Sequence, residues 1–235
     1  MRKMIWIAKR EGEAQPWMDA ASDAGWQSDA LPLIEQQPLP LDESARKKLE
    51  SLENNDWIFL TSPLAARLYR EQFQRSARAS LAVIGKKTET ALLPMKASFL
   101  STGKGGAQLA HDILSTNTLT ARARCIHFAA ESPRKELREG LSTAGVQLDL
   151  IAAYRTTAID GQAPSVEDAI LLFSPSSATS LSTRCNENAQ HRIVAVGETT
   201  ARAAAELNFS VNAVLNEPTP SELTRELMQW ATTTT

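Results

Sequence analysis

The chain has 235 residues, 43% hydrophobic and 22% charged, the balance expected of a soluble globular protein with one large domain or two small ones. Lys and Arg number 25 against 27 Asp and Glu, so there is no global basic field, and bulk binding to nucleic acid or to a membrane surface is disfavoured. No apolar run approaches membrane-spanning length, the apolar part of residues 1–10 is too short for a secretory signal, and Cys125 and Cys185 read as unpaired thiols in a reducing cytoplasm.

In chain order, residues 4–8 form an apolar run that predicts a strand, and residues 16–24 predict a helix stopped by Gly25. A strand over 26–32 follows, then a segment 35–40 whose prolines and glutamines read as a linker. Residues 42–53 predict a charged helix with Leu49 and Leu52 on one face. Asp56–Leu60 is a continuous apolar run, the pattern of a strand covered on both faces of its sheet. Alternation continues with helix 63–75, strand 80–84, a short helix after Gly85, strand 97–101, helix 106–115, strand 124–129, helix 133–143 and strand 146–152. Strands alternating with helices predict parallel sheets.

Much of this is then written a second time. Asp56-Trp57-Ile58-Phe59-Leu60-Thr61-Ser62-Pro63 returns as Asp168-Ala169-Ile170-Leu171-Leu172-Phe173-Ser174-Pro175, and the segment ending at Gly85 returns at Gly197, both at an offset of 112 (174 − 62 and 197 − 85). A period this long means two copies of one domain rather than a solenoid. A weaker echo joins residues 4–29 to 124–149, with Ala24-Gly25 answering Ala144-Gly145. Together they predict a discontinuous α/β domain of 1–34 plus 161–235, an inserted α/β domain of 41–152, and linkers at 35–40 and 153–160. The β-type residues of 153–158 suit a small antiparallel ribbon between the crossings.

Three times a strand runs into Ser-Pro and a helix: Ser62-Pro63, Ser132-Pro133 and Ser174-Pro175. Each is a good cap on its own terms, because serine accepts a backbone N–H and proline at the first helical position sacrifices none. Collectively they allow a functional reading. In an open α/β sheet, ligands lie beyond the carboxyl ends of the strands, where helix N-termini offer amide N–H groups and partial positive charge. Thr61, Ser62, Thr88, Ser174, Ser176, Ser177, Thr199 and Thr200 would ring such openings, and two domains facing each other would enclose a cleft. Thr219-Pro220-Ser221-Glu222 predicts a capping box ahead of a helix with Leu223, Leu227 and Trp230 as its buried stripe. Gly103-Lys104-Gly105-Gly106 is a glycine-rich helix start and not a phosphate loop.

The chain lacks H-E-x-x-H, a Cys-Cys ligand pair and G-x-S-x-G, and His111, His127 and His191 have no metal-ligand spacing. His127, inside an apolar strand pattern, reads as a satisfied structural residue. Hydroxyl-lined walls without a nucleophile signature point to a polyanionic ligand and to chemistry that asks little of side chains.

At these residues the chain resembles uroporphyrinogen-III synthases. The resemblance is densest in Phe173-Ser174-Pro175-Ser176-Ser177-Ala178, in Val194-Ala195-Val196-Gly197-Glu198-Thr199-Thr200-Ala201, in Glu217-Pro218-Thr219-Pro220-Ser221-Glu222-Leu223, and in the crossing Ala153-Tyr154-Arg155-Thr156. One departure is Glu198, where the family usually has proline; a carboxylate facing an acidic substrate would repel it, so Glu198 is expected to point away. The resemblance implies two doubly wound parallel-sheet domains joined by a two-stranded β linker. It implies a lyase that closes hydroxymethylbilane into uroporphyrinogen III with inversion of the last ring and loss of water, using no cofactor and no metal.

It further implies a monomer in the cytoplasm whose partner is a small linear tetrapyrrole, with neither nucleic acid nor membrane. By similarity Tyr154 is the general acid that helps the terminal hydroxyl leave, although an aromatic packed between linker strands is an equal reading of the residue. By motif match Ser62, Thr88, Ser174, Ser176, Gly197, Thr199 and Thr200 are the substrate contacts, with Arg192 as a weaker carboxylate partner and Lys86 and Lys104 weaker still. The rival is a two-domain protein that closes on an anionic solute without chemistry.

Overall fold

The computed structural model describes residues 3–73, 78–103, 105–120, 122–185 and 191–232. The chain runs β1 (Met4–Ile7), α1 (Glu11–Asp23), β2 (Gln27–Ala30), β3 (Ile34–Pro38), α2 (Glu43–Glu50), β4 (Trp57–Leu60), α3 (Pro63–Gln72), β5 (Ser80–Ile84), α4 (Lys86–Leu92), β6 (Phe99–Ser101), α5 (Gly106–Ser115) and β7 (Cys125–Ala130). It continues through α6 (Glu136–Ser142), β8 (Leu148–Ala158), β9 (Ala169–Leu172), α7 (Pro175–Ser182), β10 (Arg192–Val196), α8 (Glu198–Glu206), β11 (Ser210–Leu215) and α9 (Pro220–Thr232). Two compact units result: Met1–Glu35 with Thr157–Thr235, here the first unit, and Gln36–Thr156, the second.

The first unit's sheet has the order β11-β10-β9-β1-β2, and the second unit's sheet has β3-β8-β7-β4-β5-β6. Strands β6-β5-β4-β7-β8 follow the same order as β11-β10-β9-β1-β2, and the registers of the inner pairs agree residue by residue, while β10 and β11 shift where β5 and β6 do not. Trp57 lies opposite Cys125 and Phe59 opposite His127; at offsets of 112 and 120 these become Ala169 opposite Ile5 and Leu171 opposite Ile7. The pairing Trp57 with Ser80 becomes Ala169 with Arg192. The strand–helix–strand piece that opens the first unit (β1, α1, β2) closes the second (β7, α6, β8), so the two copies are cut at different points of one cyclic order.

Apart from β3 the strands run parallel, and the central ones are buried on both faces for reasons visible in the side chains. All four residues of β4 and all four of β9 are buried. Ile58 and Leu60 pack with Ile126 and Phe128 on one face, while Trp57 and Phe59 pack with Leu109, Ile113 and Leu141 on the other. Ile170 with Leu172, and Ala169 with Leu171, divide the first unit's core in the same way. Period-two alternation inside an all-apolar run is what two helical layers require of a strand.

Three sequence expectations need correction. Helix α1 starts at Glu11, five residues before the expected start, and takes Pro16 into its interior. Ala14, Trp17 and Ala21 give it a buried stripe, and Glu11 and Glu13 suit the positive end of its dipole. Ser132-Pro133 does not open a helix: α6 starts at Glu136 after Lys135, without a side-chain cap. Pairing with β8 continues past β7, since Glu131 N donates to the Tyr154 carbonyl at 2.8 Å, and proline holds its predecessor extended. Strand β8 does not stop near residue 152 but runs eleven residues, to Ala158. Leu39 N donates to Ala153 O and Ile159 N to Leu33 O, each at 2.9 Å, so β3 and β8 pair antiparallel where the chain passes between units.

Each central strand starts at an aspartate 112 residues from its counterpart. Asp56 N and Asp168 N donate to the Glu53 and Ser165 carbonyls at 2.9 and 3.0 Å. The side chains have diverged. Asp168 accepts the Trp6 indole N–H at 3.0 Å, whereas Asp56 accepts Arg124 N at 2.8 Å, Arg124 Nε at 2.9 Å and Glu53 N at 2.9 Å. Burial opposes ionisation of Asp56, but the hydrogen bonds from Arg124 and Glu53 outweigh it and hold the carboxyl below its ordinary value. A carboxylate with a lowered folded pKa stabilises the fold above its unfolded pKa and loses that contribution as the pH falls through the folded one. Asp56→Asn is therefore expected to cost about 1–3 kcal/mol near neutrality. In urea unfolding series the gap to the wild type shrinks only in acid, below the ordinary aspartate pKa; a gap that ignores pH would reject the assignment.

Candidate functional site

Parallel strands with returning helices bring the helix N-termini of a unit to the carboxyl edge of its sheet, and the candidate residues at strand ends and helix starts lie there by construction. In the second unit, β4 ends at Leu60 and Ser62 caps α3, its Oγ accepting Ala65 N at 3.1 Å with Pro63 in first place. The same Oγ lies 3.1 Å from the Tyr154 hydroxyl. Tyr154 is buried on β8 opposite Ala130, just past a register shift that turns the strand. Sequence reasoning named both residues separately; nothing in the spacing of 62 and 154 signals that they touch. Arg155, beside Tyr154, faces outward and takes Glu131 in a two-pronged ion pair at 2.7 Å.

The next turn repeats between units with little change. Gly85 (φ 75°, ψ 150°) caps α4 and Gly197 (φ 78°, ψ 154°) caps α8. Three residues on, Thr88 N and Thr200 N each donate to the glycine carbonyl at 3.1 Å, and both threonines are 3% exposed. Among the described residues neither hydroxyl has a hydrogen-bond partner. Thr199, Glu198, Lys86 and Lys87 lie on the same first turns, and Glu198 stands toward solvent at the head of α8. Lys86 pairs with Glu89 of its own helix at 2.8 Å. Lys104 lies outside the described residues.

In the first unit Ser174 caps α7, accepting Ser177 N at 3.2 Å and lying 2.9 Å from Ser177 Oγ. Ser176 is exposed one position into the helix. Helix α9 is capped differently from expectation. Glu222 reaches past Thr219 and accepts Glu217 N at 2.7 Å and Asn216 N at 3.1 Å, so its carboxylate ties down the preceding loop. Gly106 in the other unit is a packing residue: a Cβ there would come within 2.8 Å of Leu137 N, where α5 and α6 meet.

Arg192 does not lie at the carboxyl edge with the first unit's other candidates. It opens β10, at the amino edge of the sheet, with the length of the strand between it and Gly197. Its guanidinium lies over Trp26 at 5.9 Å and Trp230 at 5.8 Å and donates to the Glu167 carbonyl. A reading from nearness in sequence placed it with Gly197; a strand separates its two ends.

Sequence reasoning also passed over one contact. Thr61 Oγ lies 2.8 Å from His127 Nε2, and the buried imidazole is held neutral, its pKa pushed down to about 4 by burial and secondarily by the Arg138 charge. Chemically, each edge offers capped helix starts with first-turn amides able to receive an anion, and the second unit's edge adds a phenol, able to donate a proton, on a serine hydroxyl. No group of three or more His, Cys, Asp or Glu among the described residues is placed to hold a metal ion.

The comparisons with known proteins agree with one another. The family HEM4, uroporphyrinogen-III synthase HemD, matches residues 15–225. The chloroplastic uroporphyrinogen-III synthase of Oryza sativa subsp. japonica is 24% identical over 232 residues, covering 91% of this chain and 75% of the rice protein. A uroporphyrinogen III synthase from the extremely thermophilic bacterium Thermus thermophilus superposes with a TM-score of 0.66 at 16% identity, over 98% of this chain and 99% of that one. The uroporphyrinogen-III synthetase of Helicobacter pylori does so with a TM-score of 0.62 at 16% identity, over 98% and 100%.

The two glycine turns can be tested directly. An added Cβ at Gly85 or Gly197 meets nothing within 4 Å, so only the backbone conformation excludes a side chain. Gly85→Ala and Gly197→Ala should each destabilise by about 1–3 kcal/mol in equilibrium unfolding. Unchanged midpoints would mean that the turns relax freely.

Proposed function

The chain belongs to the uroporphyrinogen-III synthase family, and we propose that it closes the linear tetrapyrrole hydroxymethylbilane into uroporphyrinogen III, inverting the last ring and releasing water. The match across residues 15–225 carries the activity. The hydrogen bond between Tyr154 and Ser62 is the observation that supports the site assignment. Residues 1–34 with 161–235, and 41–152, are taken as its domains, with 35–40 and 153–160 as linkers.

In this reading Tyr154 protonates the departing terminal hydroxyl, which leaves as water; the electrophile that remains is a cationic azafulvenium, and the phenolate regains its proton from the ring carbon that loses one when the macrocycle closes. On the same reading Ser62 accepts from Ala65 N and donates its own O–H to the Tyr154 oxygen, which leaves the phenol proton free for the substrate. A neutral phenol brings a proton to a carboxylate-rich substrate without placing a second anion beside it. The substituted carbon of the last pyrrole then attacks to form a spiro intermediate, which fragments and recloses. That choice is one of conformation, so positioning supplies much of the rate. Ser62, Thr88, Ser174, Ser176, Gly197, Thr199 and Thr200 are the proposed substrate contacts: amides of the first helical turns and their hydroxyls. Arg192, at the opposite edge of its sheet, is left out.

We extend the proposal to a monomer acting in the cytoplasm on a small molecule, with no nucleic-acid or membrane partner. The near-neutral charge balance supports it, and no helix among the described residues is long and apolar enough to cross a membrane. The rice relative is named as chloroplastic, so the compartment is a separate question from the reaction.

Incubation with hydroxymethylbilane, followed by oxidation and separation of the isomers, tests the activity. Isomer III is expected, and isomer I alone would mean spontaneous closure only. Tyr154→Phe should lower kcat roughly a hundredfold. Its melting temperature should shift little, because a single hydrogen bond is worth about 1 kcal/mol. Wild-type turnover in that variant would remove Tyr154 from the chemistry.

A further inference from the structure

The duplication provides an internal control for the contact between Thr61 and His127. Thr61 answers to Phe173 at an offset of 112, and His127 answers to Ile7 at an offset of 120, in matched registers. In the first unit these positions are apolar: Phe173 packs edge-on against Trp17 with ring centroids 4.8 Å apart, and Ile7 is fully buried. The fold therefore does not need a polar pair here. The second unit nevertheless holds a 5% exposed imidazole against a half-buried hydroxyl at the end of β4, next to the Ser62 that meets Tyr154. Burying that ring costs free energy that the apolar copy avoids.

The neutral ring presents either an N–H or a lone pair at Nε2, and the bond to Thr61 forms in both tautomers. With the proton on Nε2, the ring donates to Thr61 Oγ. A hydroxyl that receives a hydrogen bond in this way keeps its own O–H free to donate elsewhere.

We infer that His127 carries its proton on Nε2 and is a positioning residue that makes Thr61 a directed O–H donor at the carboxyl edge of the second unit's sheet, and that this donor binds a carboxylate of the substrate. The inference rests on the synthase reading above. It adds to it a contact that the motif match did not select and a reason for a histidine inside an apolar strand. Thr61 acts through binding alone and transfers no proton to the substrate; the proton that leaves with the water comes from Tyr154.

Isotope-detected NMR of the ring nitrogens tests the direction without substrate. His127 should show a protonated Nε2 and a bare Nδ1, and the reverse pattern would overturn the inference. Isomer III kinetics on the full chain test the role. Thr61→Val should raise KM about tenfold, the loss of one hydrogen bond to a charged group, with kcat little changed. Thr61→Ser should restore the wild-type value. His127→Leu should raise KM to a similar extent, and the pair together no further than either alone. His127→Gln, whose amide N–H can stand in for Nε2–H, should recover part of the loss. A lowered melting temperature with unchanged KM in Thr61→Val and His127→Leu would make the pair structural only. Wild-type protein yielding isomer I alone would instead defeat the synthase reading and leave the NMR result standing.

Discussion

Parallel pairing is the constraint on which the rest depends. When neighbouring strands run the same way, the chain must return along a helix, and each return starts at the same edge of the sheet. The amides of several first helical turns, which have no partner inside their helices, therefore collect along one line. Ser62, Gly85, Ser174 and Gly197 are four solutions to one problem: how to leave a buried strand and start a helix within two residues. The serines do it with an oxygen that accepts a first-turn amide. The glycines do it with a backbone angle that other residues reach only under strain, leaving their first-turn amides without a side-chain acceptor. An anion-binding edge thus follows from the topology before any residue is chosen for chemistry.

How much of this the sequence made legible depended on range. The β4 and β9 runs announced themselves because a strand covered on both faces must be apolar throughout, and the offset of 112 was visible because side chains at those turns are tied to backbone geometry. The second correspondence, 4–29 with 124–149, was faint because its helix faces differ, although the strand registers proved identical. Local rules failed where a distant strand overrode them. Ser132-Pro133 has the letters of a cap, yet pairing with β8 runs on to Glu131, the chain bends at 131–132, and the helix waits until Glu136. Pro16 has the letter of a start, yet a buried stripe extends the helix upstream of it. Arg192 sat near Gly197 in sequence and far from it along the sheet. Contacts between side chains 66 or 92 residues apart, such as Thr61 with His127 or Ser62 with Tyr154, leave no trace in spacing.

The two copies kept backbone devices and let side chains diverge, and the pattern of divergence is informative. Glycine angles agree to within a few degrees, the buried threonines agree in exposure, and the aspartates heading the central strands agree in their backbone bonds. These are positions where a change would be resisted by the strain of the turn or by an unpaired amide. At the carboxyl edge itself the copies differ: Thr61 answers to Phe173 and His127 to Ile7. A duplicated scaffold repeats one edge of first-turn amides in each unit, and amides alone make the two edges alike. In the proposed reaction the polar pair Thr61 and His127, with apolar counterparts in the first unit, supplies the asymmetry that a change confined to one terminal ring requires.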